Sequence, residues 1–115
     1  SNENPYFYKK LKPMDLSQQE WSEKLTEDDN AQILDVRTDE EVAEKHIPNA
    51  KQMDIQNPPK FMEKLQQLDA SKNYYVYCRS GARSAQACAI LKSQGFEKCY
   101  NLLGGITEWE GETVS

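Results

Sequence analysis

Apolar residues fall in short runs separated by polar turns, and the runs alternate between two periods. Gln32 to Val36 (QILDV) and Asn73 to Tyr77 (NYYVY) are compact apolar runs. The second is rich in aromatic and β-branched residues, and both read as buried strands. Cys99 to Leu103 reads the same way, and Lys12 to Leu16 and Lys51 to Ile55 are candidates for shorter strands. Between the strands the period changes. Phe61, Leu65 and Leu68 recur at i, i+4 and i+7 behind Asn57-Pro58, an N-cap with proline at the first helical position. Ser17-Gln18-Gln19-Glu20 and Thr38-Asp39-Glu40-Glu41 are capping boxes, in which hydroxyl and carboxylate each satisfy a backbone N–H. They predict helices to about Leu25, with Trp21 and Leu25 on one face, and to about Glu44. A further helix is expected from about Ser84 to Gln94, closed by Gly95, and a short one near Trp109. His46 to Ala50 reads as a turn, because Pro48 stops a helix and Asn49 tolerates positive φ.

Strands alternating with helices along the whole chain predict an α/β domain with a mainly parallel sheet and right-handed crossovers. A length of 115 residues suits one domain. Residues 1–11 read as an N-terminal extension and residues 12–115 as the domain. In such folds sites form at the carboxyl ends of strands. Two strands deliver chemistry there: QILDV leads into Asp35 and Arg37, and NYYVY leads into Cys78.

Composition narrows the function classes. The chain is 37% apolar and 29% charged, so a small core lies under a wet surface. Two Trp, 6 Tyr and 3 Phe supply large burial units, which argues against disorder. No apolar stretch approaches the roughly 18 residues of a membrane span. The net charge of −5 argues against general nucleic-acid or anionic-membrane binding, though not against a small anionic substrate. Three cysteines, an odd number, cannot complete an intramolecular disulfide framework. With no visible signal peptide, they point to a reducing compartment, the cytoplasm. No CxxC spacing occurs, so neither thioredoxin chemistry nor a zinc site is expected, and no cofactor is implied.

Cys78 is the chemical centre of the sequence. It sits between a strand and a helix start, in a short loop containing Gly81. Successive backbone N–H groups in such a loop can form an anion-binding nest, reinforced by the positive end of the helix. Arg79 and Arg83 add positive charge, and the Ser80 and Ser84 hydroxyls can donate to the sulfur. All of this favours the thiolate, the nucleophilic form. Cys88 and Cys99 read as small core residues. His46 reads as a turn or packing residue, the acidic segment Glu23 to Asp29 as solvated, and Tyr74, Tyr75 and Tyr77 as core alternating across the sheet. Trp109 is expected to pack the terminal helix near the edge of the site.

Three motifs, ILDVRTDEEVAEKHIPNA, YYVYCRSGARSA and LLGGITEW, occur in this order between about Lys12 and Trp109. With them the chain resembles single-domain members of the rhodanese (thiosulfate sulfurtransferase-like) family. That resemblance implies a five-stranded, mainly parallel sheet with helices on both faces. It implies a catalytic Cys78 that accepts a sulfane sulfur as a persulfide, from a small anionic donor such as thiosulfate. A thiophilic acceptor, such as cyanide, a thiol or a sulfur-acceptor protein, then removes it. Cys78 to Arg83 would be the active-site loop, with Ser80, Gly81, Ala82 and Ser84 lining the place of the sulfur. Arg79 and Arg83 would orient the donor, and Asp35 and Arg37 would organise the site. The family often has Gly-His-Ile-Pro-Gly-Ala where this chain has Lys45 to Ala50. There Asn49 can replace glycine at a left-handed position at modest cost.

Two rivals share the architecture. Phosphatases and arsenate reductases use Cys-x5-Arg around a tetrahedral oxyanion. Here the spacing is Cys-x4-Arg, and a loop one residue shorter suits a single sulfur atom better. Rhodanese-like modules also serve as persulfide carriers or regulatory protein-binding domains, often when the cysteine is lost. Its presence here favours the enzyme.

Overall fold

The strands β1 (Met14–Leu16), β2 (Ala31–Asp35), β3 (Ala50–Gln52), β4 (Asn73–Tyr77) and β5 (Cys99–Leu102) form one parallel sheet, ordered β1-β5-β4-β2-β3. The structure, a computed structural model, describes residues 14–115. Lys12 and the proposed extension at 1–11 lie outside the described residues. The central strands are buried on both faces, as parallel sheets require. Side chains of β4 alternate accordingly: Tyr74 and Val76 face one apolar cluster, Tyr75 and Tyr77 the other.

Among the described residues five helices complete the layers: α1 (Gln18–Thr26), α2 (Asp39–Glu44), α3 (Pro58–Leu65), α4 (Ala82–Ser93) and α5 (Gly105–Glu108). Both capping boxes form, from Ser17 with Glu20 and from Thr38 with Glu41. Asn57 caps α3 as its sequence predicts. On one face of the sheet Phe61 and Leu65 of α3 and Ala87, Cys88 and Leu91 of α4 bury Leu34, Val36, Tyr74 and Val76. On the other face Trp21 of α1 and Ile106 of α5 bury Tyr75, Tyr77 and Leu102. Trp21 is the anchor there. Its ring meets Tyr75 and Trp109 edge-on at 5.8 and 5.5 Å, and its Nε1–H donates to the Tyr100 carbonyl. Trp109 thus packs on Trp21, and its own Nε1–H donates to the Glu112 carbonyl.

The sequence expectations shift at several ends. β3 stops at Gln52, short of Ile55, because the chain turns at Asp54, whose carboxylate accepts the Gln56 N–H. α3 ends at Leu65, and Leu68 reaches the same core from the turn beyond. α4 begins at Ala82, two positions before Ser84, because Gly81 takes a left-handed φ of 111° and becomes the N-cap. Gly95 and Asn49 both adopt positive φ, as expected. One reading of the charged loop is corrected. Asp28 is not simply solvated: its carboxylate accepts from the Tyr75 hydroxyl, the Asn73 amide and the Asn30 N–H. Strand residues pointing a phenol and an amide at one rim need a common acceptor, and Asp28 supplies it.

The last helix bears directly on the cysteine loop. The Ile106 N–H donates to the Cys78 carbonyl at 3.0 Å, and the Thr107 N–H to the Arg79 carbonyl at 3.1 Å. That approach leaves no room at Gly105, which has φ 56°; a Cβ there would collide with the Arg79 and Cys78 carbonyls. Gly105→Ala is therefore expected to destabilise the fold by about 3 kcal/mol or more, through backbone displacement and a left-handed alanine. Urea denaturation with an unchanged midpoint would contradict this clamp.

Candidate active site

Strand β4 ends under the loop, and α4 starts immediately after it. Cys78 is almost fully covered, at 1% exposure. Its sulfur receives the Gly81 N–H at 3.1 Å and the Ser84 hydroxyl at 3.3 Å. Burial opposes ionisation of this thiol. The Ser84 hydroxyl and the backbone N–H groups of Ser84, Gly81 and Ser80 more than compensate, so the thiol is held below its ordinary range. Ser80 acts through its backbone; its side chain lies on an exposed residue of the rim, whereas the Ser84 side chain is buried against the sulfur. Ala82 opens α4 and is exposed.

The other two cysteines behave oppositely. Cys88 and Cys99 are buried in the core, and burial pushes the Cys88 thiol well up and Cys99 to about 12. Burial therefore disfavours the thiolate at both.

The neighbouring strand contributes a buried charge cluster. Arg37 grips Asp35 through Nε at 2.9 Å and Nη2 at 2.8 Å, and its Nη2 also donates to the Lys45 carbonyl. The Tyr77 hydroxyl donates to the same carboxylate and accepts the Ile47 N–H. Burial and the Asp35 carboxylate push the Tyr77 phenol well up, so it stays a donor. Asp35 and Arg37 are thus locked together beside the loop, one strand away.

Arg83 reaches across to α2. Its Nη1 and Nη2 donate to the two oxygens of Glu41 at 2.7 and 2.8 Å, a fork-to-fork pair. The Glu41 carboxyl is pushed down to about 2, first by this bond and then by the Thr38 backbone and hydroxyl donors, against some burial. The sequence marked Glu41 only as a helix cap; its pairing with Arg83 joins residues far apart in the chain and had no local signature. Asn101 was also unforeseen. It is buried on β5, and its Nδ2 donates to the Gly81 carbonyl at 3.2 Å and to Asp15 at 2.9 Å. An isolated polar residue in an otherwise apolar strand was the available clue.

A cleft of about 350 Å³ opens beside the loop, at the carboxyl end of the sheet. Arg37 and Arg79 line it, with Glu41, Glu44 and Lys45 from the α2 side and Ile106 and Thr107 from α5. His46 lies beyond α2; its backbone bridges Val114 and its Nδ1 contacts the Val42 carbonyl. Among the described residues, no group of three or more His, Cys, Asp or Glu is placed to hold a metal.

A buried cysteine sulfur that accepts several hydrogen bonds at a strand–loop–helix junction makes Cys78 the candidate nucleophile of a parallel α/β sheet. The profile of the Rhodanese-like domain matches residues 18–112, and this chain belongs to that family. The Bacillus subtilis protein YtwF, provisionally named a sulfurtransferase, is 46% identical over 91 residues, covering 79% of this chain and 84% of that protein. A protein of Allochromatium vinosum named sulfurtransferase is 35% identical over 95 residues, covering 83% of this chain and 86% of that one. Among solved structures, a rhodanese-like domain protein from Staphylococcus aureus superposes with a TM-score of 0.73 at 35% identity, covering 86% of this chain and 93% of that one.

Removing the hydroxyl donor should weaken the thiolate. Ser84→Ala is expected to raise the Cys78 thiol pKa by about one unit, since a hydrogen bond to a charged group contributes roughly that much. Iodoacetamide alkylation at varied pH, with the labelled cysteine located by peptide mass, reads this, because the Cys88 and Cys99 thiols are pushed up where Cys78 is held down. An unshifted profile would remove Ser84 from the set that stabilises the sulfur.

Proposed function

We propose that the protein is a rhodanese-type sulfurtransferase that carries a sulfane sulfur as a persulfide on Cys78. Membership of the family and the names of its relatives support the transferase class. The observation that carries the persulfide itself is the sulfur's surroundings: three backbone N–H groups and one hydroxyl converge on Cys78. The Cys78 thiolate attacks the outer sulfur of a donor such as thiosulfate. The donor's S–S bond breaks, and sulfite leaves with the electron pair. The new terminal sulfur carries the charge that the thiolate carried, so the same donors can stabilise it. An acceptor thiolate or cyanide then attacks that sulfur and regenerates the Cys78 thiolate. Such alternation gives ping-pong kinetics.

In this reading Gly81, Ser80, Ala82 and Ser84 form the cradle. Arg79, exposed at the rim, and Arg83 meet the donor's anionic end. Asp35 and Arg37 hold the β2 side of the site in place. No helix among the described residues is long and apolar enough to cross a membrane. The three free cysteines support a reducing compartment such as the cytoplasm.

Intact mass spectrometry after incubation with thiosulfate tests the reading. The wild-type chain is expected to gain one sulfur atom, which cyanide removes, and Cys78→Ser is expected to gain none while keeping its denaturation midpoint. Full sulfur uptake by Cys78→Ser would refute the assignment.

A further inference from the structure

Strand β5 carries one polar residue into the core. Alternation along the strand sends Tyr100 and Leu102 to the α1 layer and turns Cys99 and Asn101 towards α4. Asn101 is 1% exposed. Its Nδ2 donates twice, to the Asp15 carboxylate on the neighbouring strand β1 at 2.9 Å and to the Gly81 carbonyl at 3.2 Å. Two acceptors around one end settle which way the amide faces, because a flip would set Oδ1 against both oxygens. That orientation has a cost. Oδ1 is buried and finds no donor among the described residues. A leucine of similar size would avoid that cost. It would strand nothing, since the Gly81 carbonyl also accepts the Ala85 N–H at 3.1 Å and Asp15 is exposed.

The bond acts on the residue best able to move. Gly81 sits at φ 111°, a region that glycine enters and leaves freely. Its N–H donates to the Cys78 sulfur at 3.1 Å, while its carbonyl is held by Asn101 and by the first turn of α4. A carbonyl pinned at two points resists rotation of the whole residue. We propose that Asn101 is a positioning residue for Cys78: its amide pins the Gly81 carbonyl and so keeps the Gly81 N–H aimed at the sulfur. Asp15 in turn keeps the Asn101 amide facing the loop. An amide retained at a cost to its own layer points to a task at the sulfur rather than in packing. The role rests on Cys78 as the nucleophile and extends its support two strands outwards, through β5 to the edge strand β1.

The test uses Asn101→Leu, and Asn101→Thr as a second variant should the leucine not be accommodated. A third, Leu91→Ala, opens a cavity about two turns further along α4 than Ser84. Each is followed by urea denaturation and by the pH profile of iodoacetamide alkylation at Cys78, located by peptide mass. Asn101→Leu is expected to keep or raise the wild-type midpoint. Its Cys78 profile should nevertheless move up by roughly half a pH unit, about a threefold loss of thiolate at lower pH, because one aligned donor is loosened. Asn101→Thr, whose hydroxyl is too short to reach Gly81, should move the profile by as much at a lower midpoint. Leu91→Ala should lower the midpoint and leave the profile in place, which separates positioning from stability. The ionisable groups that act on the loop and its layer, Arg83, Cys88 and Asp15, are unchanged in all three. A folded Asn101 variant whose profile coincides with wild type overturns the role. So does a Leu91→Ala profile that moves by the same amount. None of these readouts needs a sulfur donor: absence of sulfur on Cys78 after thiosulfate would sink the persulfide reading and leave the positioning result standing.

Discussion

A sulfur atom almost fully covered by protein depends on protein donors to favour its anionic form, and the architecture around Cys78 supplies them. Burial by itself would hold the proton on the thiol, as it does at Cys88 and Cys99. The difference at Cys78 is the supply of donors from a tight loop and from the first turn of α4. That loop has to turn sharply, so Gly81 is left-handed; it has to stay turned, so the Gly81 carbonyl is tied to Asn101 and to the Ala85 N–H. From the other side α5 grips the Cys78 and Arg79 carbonyls through its own N–H groups. The cysteine loop is therefore held by backbone groups from both sides.

Buried charge is handled consistently elsewhere. Asp35 shares its carboxylate among Arg37 and Tyr77, and Asp28 shares its own among Tyr75, Asn73 and Asn30. Tyr77 and Tyr75 present their rings to the apolar layer and their hydroxyls to these two carboxylates. This lets a short chain place aromatic rings through the sheet without stranding their hydroxyls. The apolar and polar tasks are divided within single side chains rather than among many.

Much of the fold was legible because its signals are local. The capping boxes at Ser17 and Thr38, the NYYVY run and Gly95 each specify their element within a few residues, and all appear where expected. The strand–loop–helix setting of Cys78 was legible for the same reason, since its three parts are adjacent in sequence. The boundaries at Gln52 and Ala82 were less so, because they depend on a side-chain turn at Asp54 and on the backbone sign at Gly81. What could not be read were contacts between elements distant in the chain. Glu41 with Arg83, Asn101 beneath Gly81, Asp28 under Tyr75 and the Val114 bridge all require the folded sheet to bring partners together. The segment before Met14 gave no periodic signal to test.

The short helix α2 buries no residue completely. It is attached by the Glu41 pair to Arg83, by the Lys45 carbonyl to Arg37, and just beyond its end by the backbone bridge between His46 and Val114. One side of the cleft is thus mounted on polar contacts, whereas the opposite side, α5, rests on the buried Ile106. Dissolved ions screen exposed charges over about 8 Å at physiological strength, yet leave apolar packing largely untouched. The two walls therefore answer to different features of the surroundings. Screening therefore reaches the partly exposed Arg83–Glu41 pair on the α2 side, whereas the apolar seat of Ile106 under α5 is insensitive to it.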